Sequence, residues 1–226
     1  MSKTQVFDDW PAKYDRWFET PIGRLIRQYE GELILEMLKP DRGERILDVG
    51  CGTGIFTQDM ISAGSHVVGL DFSLPMLQRA GRKFTGQPFA MIQGDMRVLP
   101  FGGKQFDKVV SVTAIEFIED GESAVAELFR VARPGGTIVV ASLNSLSPWA
   151  TRRKAEAREG HPIFKHAYFR SPADMHMLSP VAGTAKTAIH FGKDDDPEDA
   201  RIIEAKGRVE ELDTGAFVVV RWQKTS

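Results

Sequence analysis

The chain has 226 residues, 42% of them hydrophobic, and a formal net charge of −2. That is enough apolar material for one sizeable core, and it argues against a disordered or fibrous chain and against a global basic field that would attract nucleic acid or an anionic membrane. A single cysteine, Cys51, rules out an internal disulfide and an all-cysteine metal cage and fits a reducing compartment.

The N-terminal stretch MSKTQVFDDWPAKYDRW lacks a charged start followed by an apolar core, and no segment approaches the about 18 apolar residues of a membrane span. The expectation is a cytoplasmic protein without integral membrane association. GELILEMLK, residues 31–39, carries Leu33, Ile34, Met37 and Leu38 at helical spacing before Pro40 ends the helix. RILDVG is a short apolar strand, GIFTQDMISAG an amphipathic helix closed by Gly64, and HVVGLDFS a second strand. LPMLQRAGRKF tolerates Pro75 in the first turn of a helix. FAMIQGD and FDKVVSVTA are strands three and four, GESAVAELFRVA is a helix stopped by Pro134-Gly135-Gly136, and GTIVVASLN is strand five.

Continuous runs such as Val109-Val110 and Ile138-Val139-Val140 indicate strands covered on both faces, as in parallel sheets. The alternation predicts an α/β protein with a Rossmann-like, doubly wound, seven-stranded, mostly parallel sheet and helices on both faces. Ligands of such sheets sit beyond the carboxyl ends of the strands. After residue 142 the pattern weakens: SPWATRRKAEAREG reads as a polar helix, HPIFKHAYFRSPADMHML has no clean period, and AKTAIHFGK and GAFVVVRWQK are the last strands. DDDPEDARIIEAKGRVEELD shows no clear crossover helix, so the expectation is a hairpin of strands six and seven with the last strand antiparallel. The chain reads as one domain over 1–226, with a helical cap over 1–40 and a lid-like insertion over 145–180.

Three glycines alternate in ILDVGCGTGI, directly after the first strand. Glycines there let the chain turn tightly and let a ligand touch main-chain atoms. A dinucleotide loop needs G-x-G-x-x-G, and the place of its last glycine holds Ile55. Asp48, two residues before the first glycine, would oppose a diphosphate but would balance a cationic ligand. Asp71, 23 residues further on at the tip of the second strand, can accept bonds from both hydroxyls of a ribose. These residues point to a ribonucleoside that carries positive charge and no diphosphate.

ILDVGCGTG, VVGLDFS, MIQGDMRVLPF, FDKVVSVTAIEFIED and ELFRVARPGGTIVVASLN resemble, in order and spacing, the motifs of class I S-adenosylmethionine-dependent methyltransferases. The nearest group is methyltransferase type 11, which includes quinone-biosynthesis and other small-molecule enzymes, and the resemblance covers roughly residues 8 to 144. It implies S-adenosyl-L-methionine as cofactor and methyl transfer to a small organic acceptor. It also implies that the loop Gly50, Cys51, Gly52, Thr53 and Gly54 packs under the methionine part and ribose, and that Asp71 holds the ribose hydroxyls. Phe72, Ser73 and Met76 would lie around the adenine, Gly94, Asp95 and Met96 would meet its amino edge, and Thr113 and Ala114 would lie near the sulfonium. Tyr14, on the leading helix AKYDRWFETPIGRLIRQYE, would close over the cofactor.

Many relatives carry a histidine pair after strand four, where this chain has Glu116-Phe117, so Glu116 is the candidate base. Each signal also has a plainer reading. Asp95 could cap a turn, Tyr14 could be core with Trp17 and Phe18, Glu116 could be a solvated helix start, and Asp107 reads as structural. Arg152, Arg153, Lys154 and Arg158 alternate with Glu156 and Glu159 as on a solvated helix face, and His161 and His166 lack partners at metal-ligand spacing, so no metal is expected. Acceptor choice should come from Trp10, Tyr14 and Trp17 and from the aromatic insertion with Trp149, Phe164, Tyr168 and Phe169, which suits a hydrophobic or aromatic metabolite better than nucleic acid. A cofactor-binding protein without transferase activity would carry the same motifs, and an NAD-dependent oxidoreductase would need the missing glycine. Oligomeric state is not legible in the sequence.

Overall fold

Strand β1 (Arg45–Val49) is buried at every position after the first, and it lies inside the sheet, with a strand on each side. The computed structural model describes residues 5–225. Around β1 are β2 (His66–Asp71), β3 (Phe89–Gln93), β4 (Phe106–Val112), β5 (Ala132–Leu143), β6 (Gly183–Ala188) and β7 (Phe217–Gln223), in the order β3-β2-β1-β4-β5-β7-β6. The first five strands pair in parallel, and β7 runs antiparallel to both β5 and β6. The order reverses between β1 and β4, so a crevice opens beyond the carboxyl ends of these two strands.

Helices α3 (Pro21–Leu38), α4 (Thr57–Ser62), α5 (Leu74–Lys83), α6 (Gly121–Val131) and α9 (Pro197–Val209) flank the sheet. One apolar layer joins Leu33, Ile34 and Met37 of α3 to Val110, Val139 and Val219. The other joins Val125 and Leu128 of α6 to Val109, Ile138 and Trp222. The β-branched runs are covered on both faces because alternate side chains feed opposite layers. No described helix is long and apolar enough to cross a membrane.

The expected helical cap consists of α1 (Gln5–Asp8), α2 (Pro11–Glu19) and the start of α3, with residues 1–4 outside the described residues. The leading helix breaks at Thr20, whose hydroxyl accepts the Gly23 N–H and so starts α3 afresh before Pro21. The stretch 145–180 forms α7 (Pro148–Arg158), a 3-10 turn at Phe164–His166 and α8 (Pro172–Met177).

The hairpin expectation is corrected. Strands β6 and β7 are antiparallel neighbours, but α9 lies between them in the chain. Its buried face is only Ala200, Glu204 and Gly207, while Ile202 and Val209 are exposed, so an apolar period could not reveal it. Polar bonds dock it instead. Glu204 accepts from the His190 backbone N–H at 2.8 Å, lies 3.0 Å from His190 Nδ1, and accepts from Arg208 Nε at 2.9 Å. Glu204 holds the His190 imidazole above its usual pKa against the opposing effect of burial. A methyl group added at Gly207 would lie 2.3 Å from His190 Cγ. Gly207→Ala should therefore lower stability by about 1–3 kcal/mol through overpacking, read as a fall in Tm, whereas Ile202→Ala on the exposed side should leave Tm nearly unchanged.

Candidate functional site

A cavity of about 1260 Å³ opens at the β1/β4 switch point and runs from the glycine loop to the cap and the 145–180 insertion. It exceeds the roughly 300–1,000 Å³ common for a single small ligand, so it has room for a cofactor and a second molecule.

The loop after β1 has Gly50, Gly52 and Gly54 at φ of 76°, 53° and 79°, a conformation that favours glycine at all three. Their duties differ. A Cβ on Gly50 would strike Ala114 Cβ at 2.3 Å, so the loop presses on the end of β4. Gly52 faces open space in the cavity. A Cβ on Gly54 would lie 2.4 Å from the Phe84 ring, so this glycine serves the packing of α5 and does not line the cavity. Thr53 is likewise buried away from it, its hydroxyl donating to Asp15 at 2.6 Å. Burial pushes the Cys51 thiol up, which removes nucleophilic character from this cavity-lining residue.

Asp71 Oδ2 accepts the Gly52 N–H and Oδ1 the Ser73 N–H, each at 2.8 Å. The carboxylate is therefore aimed by the loop, with lone pairs left for a ligand. Ser73 caps α5 and donates to Asp8 at 2.7 Å, behind the cavity wall. Phe72, Met76, Gly94, Asp95 and Met96 line the same end as Asp71. Asp95 is bonded bidentately by Arg97 at 2.5–3.0 Å, and that partner holds its carboxyl below the usual range. Asp107 is structural as expected, accepting the Arg45 N–H at 2.8 Å.

Thr113 and Ala114 line the middle, directly after β4. Thr113 is a β-branched residue at φ 47°, a strained conformation of the kind found at working sites. Tyr14 lines the cavity with Thr113, and burial followed by the charge of Glu30 pushes its pKa up.

Three buried carboxyl groups, Asp48, Glu30 and Glu116, and the half-buried Asp71 face this space. Asp48 accepts from Thr57 Oγ1 at 2.6 Å, yet burial raises it to about 7. Burial also raises Asp71, Glu116 to about 7 and Glu30 to about 8. Glu30 was missed in the sequence, although it continues the apolar stripe Ile26, Leu33, Ile34, Met37 of α3, where an acid is out of place. Arg153 is a correction. Its guanidinium leaves the helix surface and enters the cavity wall beside the Trp149 and Phe164 rings, at 5.2 and 5.7 Å. Arg152 lines the wall as well, 5.0 Å from the Trp149 ring, and the alternating charges of α7 concealed both because Lys154 and Arg158 stay exposed. His161 Nδ1 accepts the Ile163 and Phe164 N–H groups, and its ring stacks on Phe164 at 4.4 Å, so its role is to shape the wall.

A cap latch was also missed. Asp15 on α2 accepts from Thr53, from Lys83 Nζ at 2.9 Å and from Arg79, and so ties the cap to the glycine loop and α5.

Residues 47–140 match a family model described as a methyltransferase domain. Over that span the chain is similar to methyltransferases. It is 35% identical over 139 residues to a demethylmenaquinone methyltransferase of Renibacterium salmoninarum, covering 62% of this chain and 57% of that one. It is 36% identical over 115 residues to a malonyl-[acyl-carrier protein] O-methyltransferase of Erwinia billingiae, covering 51% and 45%. The chain thus spans about half the length of the curated relatives it matches. Among solved structures, a Thermotoga maritima S-adenosylmethionine-dependent methyltransferase, described as a possible histamine N-methyltransferase, superposes with a TM-score of 0.71 at 22% identity, covering 98% and 99%. Phosphoethanolamine N-methyltransferase 2 of Haemonchus contortus, solved with S-adenosyl-L-methionine, gives 0.66 at 17%, covering 97% and 60%. These two likenesses concern the fold.

The residues fit the methyltransferase cofactor. A sulfonium with an amino group offers positive charge to buried acids, and Gly52 leaves main chain bare beside a carboxylate suited to a diol. The sign of the pH effect follows from the raised pKa values. Asp48, Glu116 and Glu30 favour folding when protonated, and that contribution is lost as pH rises toward 7–8. The ligand-free protein should therefore lose Tm between pH 6 and pH 8, and Asp48→Asn should flatten the decline; an unchanged slope in the variant would count against a titrating Asp48.

Proposed function

We propose that this chain transfers the sulfonium methyl of S-adenosyl-L-methionine to a small organic acceptor by in-line displacement. The observation that carries this reading is one continuous cavity lined by the loop-held carboxylate of Asp71 and by the buried acids Glu30 and Glu116 with aromatic walls. When bound, the cofactor supplies an electrophilic methyl on a positively charged sulfur. Asp71 would accept from the sugar hydroxyls, with Phe72, Met76, Gly94, Asp95 and Met96 around the base. Asp48, with Gly50, Cys51 and Gly52, would hold the amino-acid portion. Thr53, Gly54 and Ser73 would act from behind, by fixing the loop and α5. Thr113, Ala114 and Tyr14 would border the reacting centre, and Tyr14 and the cap would exclude water from it.

Positioning the acceptor within about 3–3.5 Å of the methyl carbon supplies much of the rate in such a displacement. Where the acceptor must lose a proton, Glu116 is suited to take it, because a carboxyl raised to about 7 is a competent base near neutral pH. The demethylmenaquinone and malonyl-[acyl-carrier protein] specificities in the relatives' names support an organic acceptor over nucleic acid, as does the slight net negative charge. The single buried cysteine supports a cytoplasmic setting.

Calorimetry and turnover to S-adenosylhomocysteine with an acceptor panel test the proposal. Asp71→Asn should weaken cofactor binding about 10- to 100-fold, the worth of hydrogen bonds to a charged group, while Glu116→Gln should lower kcat with cofactor affinity unchanged. Tight binding with no turnover on any acceptor would instead support a cofactor-sensing protein.

A further inference from the structure

The acceptor end of the cavity holds more polar chemistry than the displacement requires. Glu30 of α3 is 7% exposed and Glu116 is 1% exposed, and both line the cavity. Glu116 Oε2 accepts a 3.3 Å bond from Ser142 Oγ, while no hydrogen bond supports the Glu30 carboxyl among the described residues. Opposite them, Arg153 has buried Nε and Nη1 atoms with no hydrogen-bond partner among the described residues. Such groups are costly to bury unless a ligand completes them.

We propose that Glu30 and Glu116 form the binding site for an amine acceptor, whose nitrogen they hold at the methyl-transfer position. This rests on the reading of the chain as a methyltransferase and names the class of its acceptor. Two carboxylates face one guanidinium, so the fully ionised set carries one net negative charge and complements a monocation.

The nearby cations beyond Arg153 are committed elsewhere: Arg152, which also lines the cavity, pairs with Glu156 at 3.4 Å. Arg27, on the same helix as Glu30, is bonded to Asp59 at 2.7 and 2.8 Å and to the Ile55 carbonyl at 2.8 Å. Arg170, near Glu116, donates to the carbonyls of Ile115, Ile118 and Glu119 at 2.7–3.3 Å. Burial raises both acids in the absence of a ligand, which is the mark of carboxyls short of positive charge. Trp17, Phe117, Trp149 and Phe164 line the same end and suit an organic substituent next to a cation. A carboxylate acceptor would meet two like charges for one Arg153, and a phenol would leave the acids uncompensated.

The chemistry balances without a further reactant. The acceptor enters as an ammonium and gives one proton to Glu116, which frees the nitrogen lone pair. That pair forms the N–C bond as the C–S bond breaks, and its electrons remain on sulfur as a neutral thioether. The product leaves as a methylammonium ion, and Glu116 returns its proton to solvent.

The test uses protein loaded with S-adenosylhomocysteine, titrated with tryptamine and phenethylamine against 3-phenylpropionate and 4-ethylphenol as probes. The amines should bind most tightly, and Glu30→Gln and Glu116→Gln should each weaken them about 10-fold or more, the worth of a charged hydrogen bond, with S-adenosylhomocysteine affinity retained. With S-adenosyl-L-methionine, mass spectrometry should show the N-methylated amine. Tighter binding of phenylpropionate or ethylphenol, no amine binding, or unchanged amine affinity in both variants would overturn the amine site while leaving the methyltransferase reading in place. Failure of the wild-type protein to bind S-adenosylhomocysteine would overturn that reading itself.

Discussion

Burying a carboxylate without a counter-charge is expensive, and this fold does it repeatedly in one crevice. Asp48 and Asp71 sit at or near the tips of β1 and β2, while Glu30 and Glu116 face the same space from α3 and from the turn after β4. A protein tolerates such a deficit where a ligand brings the missing charge, and the cost is then converted into affinity and selectivity. A diphosphate would deepen the deficit. A sulfonium nucleoside relieves it.

The rest of the structure shapes that crevice. Parallel pairing fixes the register of β1 against β2 and β4, so that Asp48 lies beside Gly69 and Val110 and the loop after β1 is set beneath the carboxyl ends. The cap is held by Asp15 at the glycine loop and α5 and by Asp8 at Ser73, two polar ties on the cofactor side. On the acceptor side, Arg170 and the Tyr168 N–H, which donates to the Glu116 carbonyl at 2.7 Å, brace the turn that carries Glu116. The 145–180 insertion thus supplies Arg153 and aromatic wall to the cavity and also holds the candidate base in place.

Much of this was legible in the sequence because its signals are local. The glycine pattern, Asp48, Asp71 and the strand runs each state a backbone requirement within a few residues, and the positive φ values at Gly50, Gly52 and Gly54 bear out the loop. The division of labour within that loop was not legible, since it depends on Phe84 and Ala114 arriving from distant segments. Glu30 and Arg153 were hidden for the same reason, each being ordinary in its own helix and informative only across the cavity. Helix α9 was hidden by its exposed isoleucines and valine, although Asp196 at the cap, Pro197 in the first turn, and acids early with bases late were all present as start and stop signals. Docking by His190 and Glu204 replaced the apolar face that periodicity seeks.

The central claim is that positive charge, brought by a phosphate-free ribonucleoside, is what the crevice selects. The most direct test is calorimetric titration at pH 7 with S-adenosyl-L-methionine and with NAD, each in two buffers of different ionisation enthalpy. The account predicts binding of S-adenosyl-L-methionine with release of protons, as Asp48 and its neighbours ionise beside the cation, and no binding of NAD. Binding of NAD, or binding of S-adenosyl-L-methionine with no proton release, would contradict it.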